Sequence, residues 1–145
     1  MDLRGRVAIV CAASQGLGKA AADGFAREGA HVVICSRDRK RLFAAAKEIS
    51  GSGQERSSRV VPVVADVTKP RHIKNLDAAA AKAFGRVDIL VTNAGAPPVA
   101  SFPELHDAAW KDGITLNLMS TIRCIREVVP LMQSRSGAGS STSPR

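Results

Sequence analysis

Two glycines set two apart, Gly16 and Gly18, follow an apolar run (Val-Ala-Ile-Val-Cys, 7–11) and precede the helix-favouring Lys19-Ala20-Ala21-Ala22. Between run and helix the chain narrows to small or polar residues, Ala12, Ala13, Ser14 and Gln15. A buried strand, a tight turn and a helix start make an anion site. The first N–H groups of a helix lack intrahelical partners and point at whatever lies above them. Gly16 and Gly18, with Leu17 between them, remove the Cβ atoms that would block a pyrophosphate. The alternative is the strand-to-helix connection of any α/β domain. Three further loops bear on the choice: Ser36-Arg37, Asp66-Val67 and Asn93-Ala94-Gly95, each following an apolar segment.

The second of these loops speaks to the nature of the anion. A site for NAD places Asp or Glu after the second strand, to accept from the ribose 2′-OH. Here that place holds Ser36-Arg37, followed by Asp38-Arg39-Lys40-Arg41. A carboxylate at position 36 would repel a 2′-phosphate, whereas Arg37 matches one with a charged fork of donors. NADP(H) is therefore the preferred cofactor and NAD(H) the second choice. Asp38 weighs against this, and a solvated basic helix start is the alternative.

The elements that must carry these loops alternate. Strands are expected at 6–13, 31–35, 60–65 and 87–91, and helices at 17–28, 38–49 and 70–84, with a polar loop at 51–58. Leu17, Ala21, Gly24 and Phe25 share one face of the first helix, which Gly29 ends. Leu42, Ala45, Ala46 and Ile49 sit at core spacing in the second, and Ile73, Leu76, Ala80 and Phe84 in the third. Pro62 is tolerated in the third strand only at a sheet edge or an irregular start. A long helix is expected over 104–133, with Trp110, Ile114, Leu118, Ile122, Ile125, Val129 and Met132 as its apolar stripe and Pro130 bending its end. Strands alternating with helices imply a parallel sheet with right-handed crossovers, in the order 3-2-1-4. Ligands of such sheets bind at the carboxyl ends of the strands. All four loops stand there.

Composition removes other classes. A chain of 145 residues makes one domain, with 45% hydrophobic and only 3% aromatic residues. The net charge of +8 and pI near 10.1 are spread over the segments, without aromatics for base stacking, so no nucleic-acid partner is expected. Cys11, Cys35 and Cys124 are odd in number and widely spaced in apolar segments. They are expected as buried thiols in a reducing compartment, with no metal site and no disulfide framework. With no signal region at the N-terminus and no apolar run of spanning length, no membrane partner is expected and the chain is placed in the cytoplasm.

The motifs together resemble the N-terminal part of the short-chain dehydrogenase/reductase family, in texture its 3-oxoacyl-[acyl-carrier-protein] reductase-like members. The family's Thr-Gly-x-x-x-Gly-x-Gly is matched over 11–18, with Ala12 where the first glycine stands. Its Asp-aliphatic pair is matched by Asp66-Val67, and its Asn-Asn-Ala-Gly by Thr92-Asn93-Ala94-Gly95. The resemblance implies a Rossmann-type doubly wound parallel sheet over 1–135, truncated after the fourth strand and the following long helix. It implies contacts of Asp66-Val67 with adenine and of Asn93-Ala94-Gly95 with the ribose. It makes Asn117 the relay residue that holds a water beside the catalytic lysine. A plain helix cap for Asp66, with Thr68 the better cap, and a solvent-facing place for Asn117 are the alternatives. Homo-oligomers formed through the long helix are also implied, and Ser36-Arg37 again marks NADP preference.

The family's chemistry rests on a Tyr as general acid/base, a Lys four residues on and a Ser. A phenol with a pKa of about 10 needs such help near neutrality. This chain has no tyrosine. A small carbonyl or hydroxyl substrate is thus expected only for a complete chain, and the present one is expected to bind cofactor without turnover. A non-catalytic binding or regulatory module pairing with another subunit is the alternative. Residues 136–145 are low in complexity and expected to be disordered. Gly139 to the end can be encoded by GGC TCG TCA ACA TCT CCA CG, which read two bases on gives Leu-Val-Asn-Ile-Ser-Thr. A fifth strand lost to a frameshift is the expectation, with natural truncation the alternative.

Overall fold

Valine and isoleucine dominate four short runs, and their branched Cβ atoms favour extended backbone buried on both faces. In the computed structural model, which describes residues 3–52, 58–96 and 99–134, these runs form β1 (Val7–Val10), β2 (His31–Ser36), β3 (Val60–Val64) and β4 (Ile89–Val91). All pairings are parallel, in the order β3-β2-β1-β4. Val10 stands between Ile34 and Val91, and Pro62 lies opposite Ile34 on an edge strand where its missing N–H is tolerated.

The strand period of two sorts side chains between two cores. Val10, Val32 and Ile34 meet Ala22 and Ala26 of α1 (Gly16–Arg27) and Leu42, Ala45 and Ile49 of α2 (Arg39–Ser52). Ile9, Cys11, Val33 and Cys35 meet Ile73, Leu76 and Ala80 of α3 (Pro70–Phe84) on the opposite face. Cys124 and Val128 join that second core from a helical run that begins as α4 (Asp107–Ile114), widens to a π-helical segment (Thr115–Met119) and continues as α5 (Ser120–Gln133). The doubly wound α/β sheet is as the sequence implies.

Three expectations are corrected. Leu17 is 85% exposed and Gly24 is open to solvent, because α1 packs through Gly18, Ala22 and Ala26, small enough to bring its backbone close to the sheet. The second helix runs through Gly51 and Ser52, which the sequence assigns to a loop. Residues 53–57 of that loop, like 135–145 of the expected tail, lie outside the described residues. The third correction is the largest. Trp110, Ile114, Leu118, Ile122 and Ile125 are all exposed, while Ser120, Cys124 and Val128 are buried. The run turns the face of Ser120, Cys124 and Val128 inward beside α3, with Leu116, Leu131 and Met132 packed at its edges, so Met132 alone of the expected stripe reaches the core.

Candidate cofactor-binding cleft

The turn after β1 is held in a conformation that its sequence makes costly. Ala12 has φ 49°, in the left-handed region where a Cβ crowds the following carbonyl. Gly16 follows at φ 59°, and a Cβ there would meet nothing within 4 Å, so it faces open space. At Gly18 the opposite holds. A Cβ would lie 2.5 Å from the Ala12 carbonyl oxygen and 2.8 Å from Asn93 Nδ2. Asn93 donates from Nδ2 to the carbonyls of Ala12 and Cys11, at 3.3 and 3.4 Å, which ties the end of β4 to the turn.

Above this turn α1 starts uncapped. Gln15 stands at its N-cap without a side-chain cap hydrogen bond, and the first turn carries no acidic residue. Unsatisfied donors, open space over Gly16 and no competing carboxylate suit an anion. The donor set fits a dinucleotide pyrophosphate.

Beside the turn, Ser36 Oγ donates to Ser14 Oγ at 2.9 Å and accepts from Asp38 N at 3.4 Å. Asp38 also lines the cleft, and its carboxylate is engaged. Its Oδ1 accepts from Arg41 N at 3.0 Å, capping the first turn of α2, and its Oδ2 lies 3.4 Å from Arg41 Nε. Arg41 also donates to Gln15 Oε1 at 3.3 Å, across the cleft mouth.

The third loop is an Asx turn. Asp66 Oδ1 accepts from Thr68 N and Thr68 Oγ1, at 2.9 and 2.7 Å. Asp66 therefore organises the turn into α3, and Thr68 is not the cap. Burial pushes the Asp66 carboxyl up, but the Thr68 hydrogen bonds and the charges of Arg37 and Lys69 outweigh it and hold the group below its ordinary value.

These loops enclose one cleft of about 760 Å³ at the carboxyl ends of the strands. Ala12, Ser14, Gln15, Gly16, Leu17, Ser36, Arg37, Asp66, Val67, Asn93, Ala94 and Gly95 all line it, and Gly18 lies buried directly behind. Asn117 is not among them. It is exposed in the π segment, its Nδ2 donating to Gly113 O at 3.1 Å, and lines a separate apolar groove with Trp110 and Leu118. Its neighbour Leu116 reaches the cleft instead. The sequence reading passes over Arg41 and Leu116. The Asp38-x-x-Arg41 spacing at a helix start is the signal that could have found the first.

Cys11, Cys35 and Cys124 are free and buried together: contact with Cys124 and Cys35 plus burial push the Cys11 thiol well up, while the contact with Cys11 draws the Cys35 and Cys124 thiols down. Among the described residues no group of three His, Cys, Asp or Glu is arranged to hold a metal. No helix there is long and apolar enough to cross a membrane.

Comparison with known proteins agrees with this geometry. The short chain dehydrogenase family model matches residues 6–140. A (2S)-[(R)-hydroxy(phenyl)methyl]succinyl-CoA dehydrogenase subunit of Thauera aromatica is 35% identical over 128 residues, 88% of this chain and 50% of the relative. The rhamnolipids biosynthesis 3-oxoacyl-[acyl-carrier-protein] reductase of Pseudomonas aeruginosa is 32% identical over 137 residues, 94% of this chain and 52% of the relative. L-Sorbose reductase of Gluconobacter frateurii, solved with NADPH and L-sorbose, superposes with a TM-score of 0.85 at 36% identity. That match covers 93% of this chain and 51% of the reductase. This chain thus spans about half the length of the relatives it matches. With the parallel sheet, the glycine turn and the loops gathered at one edge, it belongs to the short-chain dehydrogenase family.

Proposed function

We propose that the chain forms the NADP(H)-preferring cofactor-binding half of a short-chain oxidoreductase. The observation that carries this reading is the convergence of the glycine turn, Ser36-Arg37, Asp66-Val67 and Asn93-Gly95 on one cleft. The N–H groups at the start of α1 take the pyrophosphate. Arg37 takes the 2′-phosphate, which it is free to do because Asp38 is occupied by the cap of α2 and by Arg41. Both Thr68 bonds fall on Oδ1 of Asp66, which leaves Oδ2 for the adenine amino group. Asn93-Ala94-Gly95 takes the ribose on the nicotinamide side. When bound, the nicotinamide supplies or accepts a hydride at a carbonyl or hydroxyl carbon.

The chain alone is proposed to bind cofactor without turning over substrate. It has no tyrosine, hence no Tyr-x-x-x-Lys, and Asn117 is folded onto Gly113 away from the cleft. The exposed stripe of α4 and α5 favours a second reading in part, a binding module that pairs with another subunit or another copy through that face. Titration calorimetry with NADPH and NADH tests the first reading. NADPH is expected to bind more tightly, and Arg37→Glu to reverse the order, by roughly ten- to a hundredfold for one charged hydrogen-bonding fork. Equal affinities before and after the change would sink it.

A further inference from the structure

We infer that His72 is a positioning residue for the adenine side of the cleft, holding the backbone of Asp66 through its imidazole. The inference rests on the dinucleotide reading of the cleft. His72 sits in the first turn of α3, where its own N–H donates to Lys69 O at 3.0 Å. Its Nδ1 accepts from the backbone N–H of Asp66 at 3.0 Å, six residues back and across the turn. That N–H stands between the buried residues Ala65 and Val67, and a part-buried donor left unmatched is costly.

The contact completes a loop tied from every side. Lys69 N donates to Asp66 O at 2.9 Å, and Thr68 closes the side chain. Arg123 of α5 donates to Thr68 O at 3.2 Å. Without the Nδ1 acceptor the Asp66 N–H loses its partner, so the loop that presents Asp66 and Val67 to the cleft loosens and dinucleotide affinity falls with it.

The test compares the wild-type chain with His72→Asn, whose Oδ1 replaces Nδ1 as acceptor, and with His72→Leu, which has no acceptor. NADPH binding is measured at one pH, together with protection of the Asp66 amide from hydrogen exchange, read without cofactor. His72→Asn is expected to keep the wild-type affinity and protection, and His72→Leu to lose roughly five- to tenfold in affinity along with the protection of the Asp66 amide. His72→Leu matching wild type, or His72→Asn falling as far as His72→Leu, would overturn the inference. If none of the three binds NADPH, the dinucleotide reading fails, and the Asp66 amide still decides the role of His72.

Discussion

At the scale of single residues, Ala12 shows most directly what the sequence hides. Its place in the glycine motif was legible, but its φ of 49° was not, because a substitution at a turn does not disclose whether the backbone has changed with it. The backbone has kept the conformation that suits glycine. Asn93 and the close approach of Gly18 hold it there, at a cost that Ala12 carries. Ala12→Gly is therefore expected to raise stability by about 0.5–1 kcal/mol, relief of left-handed strain less the added freedom of the unfolded chain. A shift of the urea midpoint to higher concentration, with unchanged slope, checks it. An unchanged or lower midpoint would mean that the turn is not strained. Arg41 was missed for a related reason. Its charge was plain in a basic run, but its reach to Gln15 depends on the geometry of α2's first turn.

Among elements, the strands and their order were legible because β-branched runs separated by helical periods leave one economical winding. The orientation of the last helix was not. Residue volume marked Trp110, Ile114 and Leu118 for the core, whereas the face packed beside α3 buries Ser120, Cys124 and Val128. The π segment at Thr115–Met119 adds to the difficulty, since no period of 3.6 runs through it. At the other end of the sheet, β1 and β4 are pinned by Asp88. Its carboxylate accepts from Val7 N at 2.9 Å and pairs with Arg6 at 3.1 Å and with Arg86. Burial pushes this carboxyl up, but Arg86, the Val7 N–H and Arg6 outweigh it and hold its pKa low. A carboxyl with a depressed folded pKa binds fewer protons folded than unfolded, so its stabilisation is present above the unfolded value of about 3.9 and is lost as pH falls through the folded one. Asp88→Asn is expected to cost about 1–2 kcal/mol at neutral pH and progressively less below about pH 4. Denaturation curves of the two chains that stay apart in acid would contradict this.

Over the whole molecule, an apolar band runs along α4 and α5, with Trp110 46%, Ile114 49% and Ile125 46% exposed. Bands of this kind on a folded surface mark association sites or aggregation liabilities. Sedimentation velocity is expected to show self-association that grows with concentration. Ile114→Lys with Ile125→Lys should shift the chain towards monomer. A wild-type monomer at every concentration would remove the case for pairing through this face. The excess of 21 basic over 13 acidic residues opposes such pairing by repulsion, so added salt should strengthen it.

The position of β1 at the centre of the sheet also sets a schedule. It is the first of these four strands to leave the ribosome, and β2 can pair with one of its edges soon afterwards. Its other edge waits for β4. Val7 and Asp88, joined in the folded chain, are 81 residues apart in synthesis. At about 5–20 residues per second, that edge stays open for roughly 4–16 s on every nascent chain. An apolar strand with one free side, held for seconds, is a target for chaperones and for neighbouring chains on the same message. The strand order thus fixes when the protein is vulnerable as well as what shape it takes.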